Sequence, residues 1–147
     1  MVTVRDLIKV KGNSIWSVSP ETTVVKTLEL MSDKDVGALV VLQDGKVVGI
    51  ISERDFVRSI AKTGKCLLDA PVQNYMTREV FAVDVNQNIE VCMQLMTDKH
   101  IRHLPVVEKG ELMGVISIGD VVKELISSRE LTINQLENYI LGSGYGH

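Results

Sequence analysis

Apolar residues along this chain follow two alternating spacings, and the whole alternation occurs twice. Val24, Leu28 and Met31 stand at i, i+4 and i+7, as do Ile89, Met93 and Met96, which places each trio on one face of a helix. Each trio is followed by an apolar run, a short turn and a second apolar run. The first set is Ala38-Leu39-Val40-Val41-Leu42, Asp44-Gly45 and Val47-Val48-Gly49-Ile50-Ile51; the second is Leu104-Pro105-Val106-Val107, Lys109-Gly110 and Leu112-Met113-Gly114-Val115-Ile116. Such runs closed by a turn ending in glycine predict hairpins. Because the strands are continuously apolar, both faces of each sheet should be covered. Helical spacing then returns, with Phe56, Val57 and Ile60 matching Val121, Val122 and Leu125. Short strands around residues 16–18 and 81–83 complete two β-α-β-β-α units.

The two units are copies. Val18 corresponds to Val83, Leu30-Met31 to Leu95-Met96, Gly45 to Gly110, Gly49 to Gly114, Ser52 to Ser117 and Asp55 to Asp120, always 65 positions apart. Thirteen identities fall on 45 aligned residues, 17–61 against 82–126, without a gap, which makes the repeat structural rather than accidental. Ahead of the copies lie two similar segments, Val4-Arg5-Asp6-Leu7-Ile8 and Val72-Gln73-Asn74-Tyr75-Met76, at an offset of 68. The loop that follows the first is therefore three residues longer, and it carries Lys9, Lys11, Gly12 and Asn13. The expected organisation is a first domain over 4–64, a connector over 65–71, a second domain over 72–128, and a C-terminal helix and tail over 129–147. The fold class is α/β (α+β).

Composition narrows the function. At 147 residues, 45% hydrophobic and 24% charged, the chain is an ordinary globular protein. Its net charge of −3 gives no general attraction for phosphate backbones, and one Trp, three Tyr and two Phe supply few stacking rings, so nucleic-acid binding is not expected. No apolar run reaches the roughly 20 residues that span a bilayer, and the first residues do not read as a signal peptide. A cytoplasmic location is expected. Cys66 and Cys92 form no ligand or disulfide pattern, and His100 with His103 lacks a third ligand, so no metal is expected. There is no nucleophile elbow or Walker loop, and the repeated serine has no partner base; catalysis is not expected.

Both copies end their last strand in Gly-hydrophobic-hydrophobic-Ser-x-x-Asp: Gly49-Ile50-Ile51-Ser52-Glu53-Arg54-Asp55 and Gly114-Val115-Ile116-Ser117-Ile118-Gly119-Asp120. The duplicated unit closely resembles the paired cystathionine-β-synthase (CBS) domains known as a Bateman module, over about residues 4–128. The resemblance implies two copies packed about a pseudo-twofold axis, with clefts that take AMP, ADP, ATP, NAD or S-adenosylmethionine. It also implies that the motif Asp holds the ribose hydroxyls, the Ser contacts phosphate or ribose, and hydrophobic residues sandwich the adenine. The chemistry suits these residues, since an ionised carboxylate accepts both hydrogen bonds of a vicinal diol and a helix start favours an anion. A plainer role is also open: Ser-x-x-Asp ahead of an apolar helix is a capping box.

On this resemblance one site is expected on Asp120, Ser117, Ile118, Gly119, Arg102 and His103, with Trp16, Val36 and Gly37 from the first copy. It should favour a charged nucleotide, because Arg102 and His103 stand where the first copy has Gly37 and Ala38. The other is expected on Asp55, Ser52 and Arg54, with Thr77, Ala82 and Ile101 from the second copy. Lys11, from the longer loop, is a further candidate nucleotide-binding residue. The function expected is a non-catalytic adenine-nucleotide sensor acting on an unidentified enzyme or transporter. The alternative is a constitutive assembly subunit with vestigial sites. A symmetric homodimer is expected through Val57, Ile60, Val122, Leu125 and Ile126.

Overall fold

The computed structural model describes residues 2–12, 15–128 and 137–138. The tail helix expected over Leu131, Leu136, Tyr139 and Ile140 lies outside the described residues, apart from 137–138. The elements are α1 (Val4–Lys11), β1 (Ser17–Val18), α2 (Val24–Lys34), β2 (Ala38–Gln43), β3 (Lys46–Ser52), α3 (Glu53–Thr63), a 3-10 turn at Val72–Asn74, β4 (Val83–Asp84), α4 (Ile89–Lys99), β5 (His103–Glu108), β6 (Glu111–Ser117) and α5 (Ile118–Ser128). Both copies thus have the expected β-α-β-β-α order.

Two compact units result: Trp16–Val80, and the residues up to Ile15 together with those from Phe81 onward. Each copy therefore folds with a lead-in segment that the chain places beside the other. Val72, Tyr75 and Met76 pack into the first copy's core with Val24, Met31, Leu39, Val41, Ile51 and Phe56. Helix α1 instead buries Val4, Leu7 and Ile8 among Ile89, Cys92, Met96, Leu104, Ile116, Val121 and Leu125 of the second. It is tied down by backbone bonds from Val4 N–H to Gln87 and from Arg5 N–H to Val85, both 2.8 Å. Thr3 and Asp6 close a capping box at its start.

The sheets are built alike. β1 runs parallel to β2 and β2 antiparallel to β3, with β4, β5 and β6 repeating the order. The hairpin turns need two successive positive φ angles, met by Asp44 (52°) and Gly45 (76°) and by Lys109 (51°) and Gly110 (81°). Both strand pairs also shift register at the same place, at Val41/Leu42 and Val106/Val107. Helices α2 and α4 each end on a left-handed residue, Asp35 and His100, whose N–H closes the last turn.

Leu125 departs from the expected outer surface. It is fully buried in the second core, because α5 turns its Val121–Leu125 stripe toward α4 and α1. Val122 is half-buried, leaving Val57, Ile60 and Ile126 exposed.

The two motif glycines are places of close approach. A Cβ at Gly49 would lie 2.5 Å from Met76 Sδ and 3.1 Å from the Thr77 carbonyl, whereas one at Gly114 would meet only the tip of Ile8, at 2.9 Å. Ile8 and Met76 are thus structural counterparts, 68 positions apart as the lead-in segments imply. Because a backbone oxygen cannot step aside as a methyl can, Gly49→Ala is expected to destabilise by about 1–3 kcal/mol and Gly114→Ala by less. Urea denaturation of the two variants, with Gly114→Ala the more damaging, would refute that packing.

Candidate functional site

Where the last strand of each copy becomes a helix, backbone N–H groups lose their ladder partners and must find others. In the first copy Asp55 Oδ2 accepts from the Ser52 N–H at 2.8 Å and from its hydroxyl at 3.1 Å, while Asp55 N–H points at Ser52 Oγ, 3.4 Å away. In the second, Asp120 Oδ2 accepts from Ser117 N–H at 2.8 Å and Asp120 N–H donates to Ser117 Oγ at 3.1 Å. The capping role of the motif is therefore real in both copies. The same bonds fix each carboxylate at a helix start.

The copies differ in what meets that carboxylate. In the unit Trp16–Val80, Thr77 pairs with Ile50 on the edge of β3, exchanging backbone bonds of 2.9 and 3.0 Å, and its hydroxyl donates to Asp55 Oδ1 at 2.9 Å. In the other unit the carbonyl equivalent to Ile50 is that of Val115, and it accepts from Lys11 Nζ at 2.7 Å. The same ammonium donates to Asp120 Oδ2, also at 2.7 Å. One lysine head thus takes the place of an amide and a hydroxyl. Asp55 is met by a neutral partner and Asp120 by a cation.

Burial works to raise the Asp120 carboxyl, but hydrogen bonds from Lys11 and Ser117 and the Lys11 charge outweigh it and hold the group below its usual range. His103, at the start of β5, is half-buried in the same neighbourhood. Desolvation, then the Lys11 and Arg102 charges, push its imidazole down to about 4 against the opposing pull of Asp120. It is neutral at pH 7. Asp120 accordingly faces the Lys11 ammonium and a neutral imidazole.

The structure brings Asp120, Ser117, Lys11 and His103 together, and the carbonyl of Arg102, next to His103 in the chain, accepts from the Ile118 N–H at 2.9 Å. Ile118 packs partly against the core, and a Cβ at Gly119 would meet only Ser117 Oγ at 3.6 Å, so packing there does not demand glycine. Asp55, Ser52 and Thr77 likewise come together, and Arg54 is half-buried one residue before Asp55. Trp16, Val36 and Gly37, expected to serve Asp120, belong to the unit Trp16–Val80. There Trp16 lies under Lys34 Nζ at 4.3 Å, Val36 packs on the core and the Gly37 carbonyl accepts from Glu53 N–H. Ala82 and Ile101, expected to serve Asp55, belong to the other unit, Ala82 exposed and Ile101 packed on its core. Sequence reasoning named Lys11 without its partner. The longer loop was the signal, and the Val115 carbonyl had none.

Among the described residues no three His, Cys, Asp or Glu side chains are grouped to hold a metal ion, and no helix is long and apolar enough to cross a membrane. The buried Cys92 thiol is pushed up by desolvation to about 11.

The family model for the CBS domain matches residues 4–62 and 72–127. The mitochondrial CBS domain-containing protein CBSX3 of Arabidopsis thaliana is 37% identical over 97% of this chain and 73% of its own length. Among solved structures, the CBS domain NE2398 is 41% identical with a TM-score of 0.80, covering 85% of this chain and 98% of that one. CBSX2, solved in complex with AMP, is 28% identical with a TM-score of 0.71, covering 88% and 99%.

The histidine gives a pH test. Below its ordinary value near 6.5, the unfolded chain takes up a proton that folded His103 refuses until about pH 4, so stability falls as pH drops through that window. The lowered Asp120 keeps its contribution throughout it, losing that only as pH falls through its folded value. Melting temperature should therefore drop by several degrees more in the parent than in His103→Gln between pH 7 and pH 4.5. Equal slopes would show that His103 is not held neutral.

Proposed function

Because the chain belongs to the CBS domain family and carries two copies of its unit, we propose that it is a non-catalytic regulatory module that binds an adenine nucleotide through the carboxylates of Asp120 and Asp55. The observation that carries this reading is the pair of motif carboxylates, each locked to its serine at a helix start. A locked carboxylate is a preorganised acceptor for a ribose diol, so little ordering entropy opposes binding. The AMP held by CBSX2 supports adenine as the base. AMP, ADP, ATP and NAD share the ribose that this chemistry recognises. A cytoplasmic location and an enzyme or transporter as the regulated partner complete the reading.

Regulation follows if the ligand binds one arrangement of the chain better than another. A constitutive assembly role is the second reading, and Asp55 favours it for the first copy, since both its oxygens are already engaged without a ligand. We further propose a symmetric homodimer formed through Val57 and Ile60 of α3 and Ile126 of α5, exposed by 65%, 47% and 56%. Sedimentation at micromolar concentration should show twice 16.3 kDa for the parent and a lighter species for Val57→Glu.

A ligand that binds only the folded chain, at a hundredfold excess over its Kd, stabilises it by about 2.7 kcal/mol. AMP, ATP or NAD should therefore raise the melting temperature by several degrees, guanine nucleotides by much less, and Asp120→Ala should remove most of the shift. Should Asp120→Ala melt earlier alone yet respond to AMP as the parent does, the carboxylate is a helix cap and nothing more.

A further inference from the structure

The partner of Asp120 is the feature that the nucleotide reading leaves unused. Lys11 Nζ spends one donor on the Val115 carbonyl and one on Asp120 Oδ2. Oδ2 also accepts from Ser117 N–H, so both of its lone pairs are occupied, while Oδ1 receives no hydrogen bond among the described residues. A vicinal diol that grips the carboxylate with both hydroxyls needs Oδ2 as well as Oδ1. It must displace Lys11.

We propose that Lys11 is a charge filter: it competes with the ribose diol for Asp120 and yields only to a ligand that brings an anionic group to take its ammonium. This rests on the nucleotide reading given above and adds a ligand class to it, phosphorylated nucleotides over the neutral nucleoside. The physical reason is an imbalance in what replaces the broken bond. Displacement by a neutral nucleoside costs Lys11 a charge-assisted hydrogen bond and gives its ammonium only water in return. Displacement by a phosphorylated nucleotide moves the ammonium from one anion to another. In the first copy Thr77 instead offers Asp55 a neutral hydroxyl that can rotate away without stranding a charge.

The filter predicts that one substitution separates two probes. Lys11→Met frees Oδ2 for the diol and removes the phosphate's partner. By calorimetry it should bind adenosine about tenfold more tightly than the parent, the factor expected for one charge-assisted bond, and AMP within about threefold of it, because the bond given up at Asp120 and the bond lost at phosphate cancel. Lys11→Gln keeps a donor for the Val115 carbonyl and is expected to behave as Lys11→Met does, while Lys11→Arg keeps the parent's preference for AMP. Only the signal that Asp120→Ala abolishes is assigned to this site. If the Met and Gln variants change adenosine and AMP by the same factor, or change neither, the filter is refuted and the nucleotide reading stands. If the parent gives no signal with either probe that Asp120→Ala removes, the nucleotide reading fails and the filter with it.

Discussion

A carboxylate at a strand-to-helix junction has to be satisfied, and most of what distinguishes the two copies follows from how that is done. Ser52 and Ser117 supply the same first donors, because each helix start leaves N–H groups that the motif Asp can accept. The next donor comes from outside the motif, from the segment lying along the outer edge of the hairpin. In one copy that segment is itself strand-like and brings an amide and a hydroxyl from Thr77; in the other, helix α1 ends and a lysine reaches the same two acceptors. A backbone duplicated almost position for position thus presents two chemically different carboxylates.

The edge matters for a second reason. An unpaired strand edge exposes carbonyls that invite another chain. The carbonyls of Ile50 and Val115 are each covered, one by an amide and one by an ammonium. Gly49 and Gly114 belong to the same arrangement, since the missing side chains let Met76 and Ile8 come close enough for the covering segment to lie down. Glycine, serine and aspartate in this motif therefore answer successive demands of one junction, whichever ligand it also serves.

Much of this was legible in the chain. The offset of 65 fixed the repeat, and the helical trios named the buried faces, Val24 and Met31 in one copy, Ile89 and Met96 in the other. Asp44-Gly45 and Lys109-Gly110 announced their turns because two positive φ angles in a row are tolerated by few residues. The capping box was readable too, as spacing alone determines it. What could not be read was which core each lead-in segment joins. An amphipathic pattern says that Leu7 and Ile8 are buried but carries no address for the neighbour that buries them. For the same reason Leu125 passed as surface, its match to Ile60 concealing that α5 has α1 to pack against. Lys11 was read as a charge in a long loop, whereas α1 runs on to include it, and its partners depended on where α1 docks.

The position of α1 also orders events in time as the polypeptide leaves the ribosome. Residues 16–80 make a core from one unbroken stretch and have every partner they need once that stretch has emerged. Helix α1 is synthesised before the first copy, yet Val4, Leu7 and Ile8 bury themselves against Ile89, Leu104 and Ile116, which are made after it. Closing so wide a loop is slow, and short helices in water hold little structure of their own. Helix α1 thus waits, its apolar face in solvent, while the whole first copy is made and until the second has followed it.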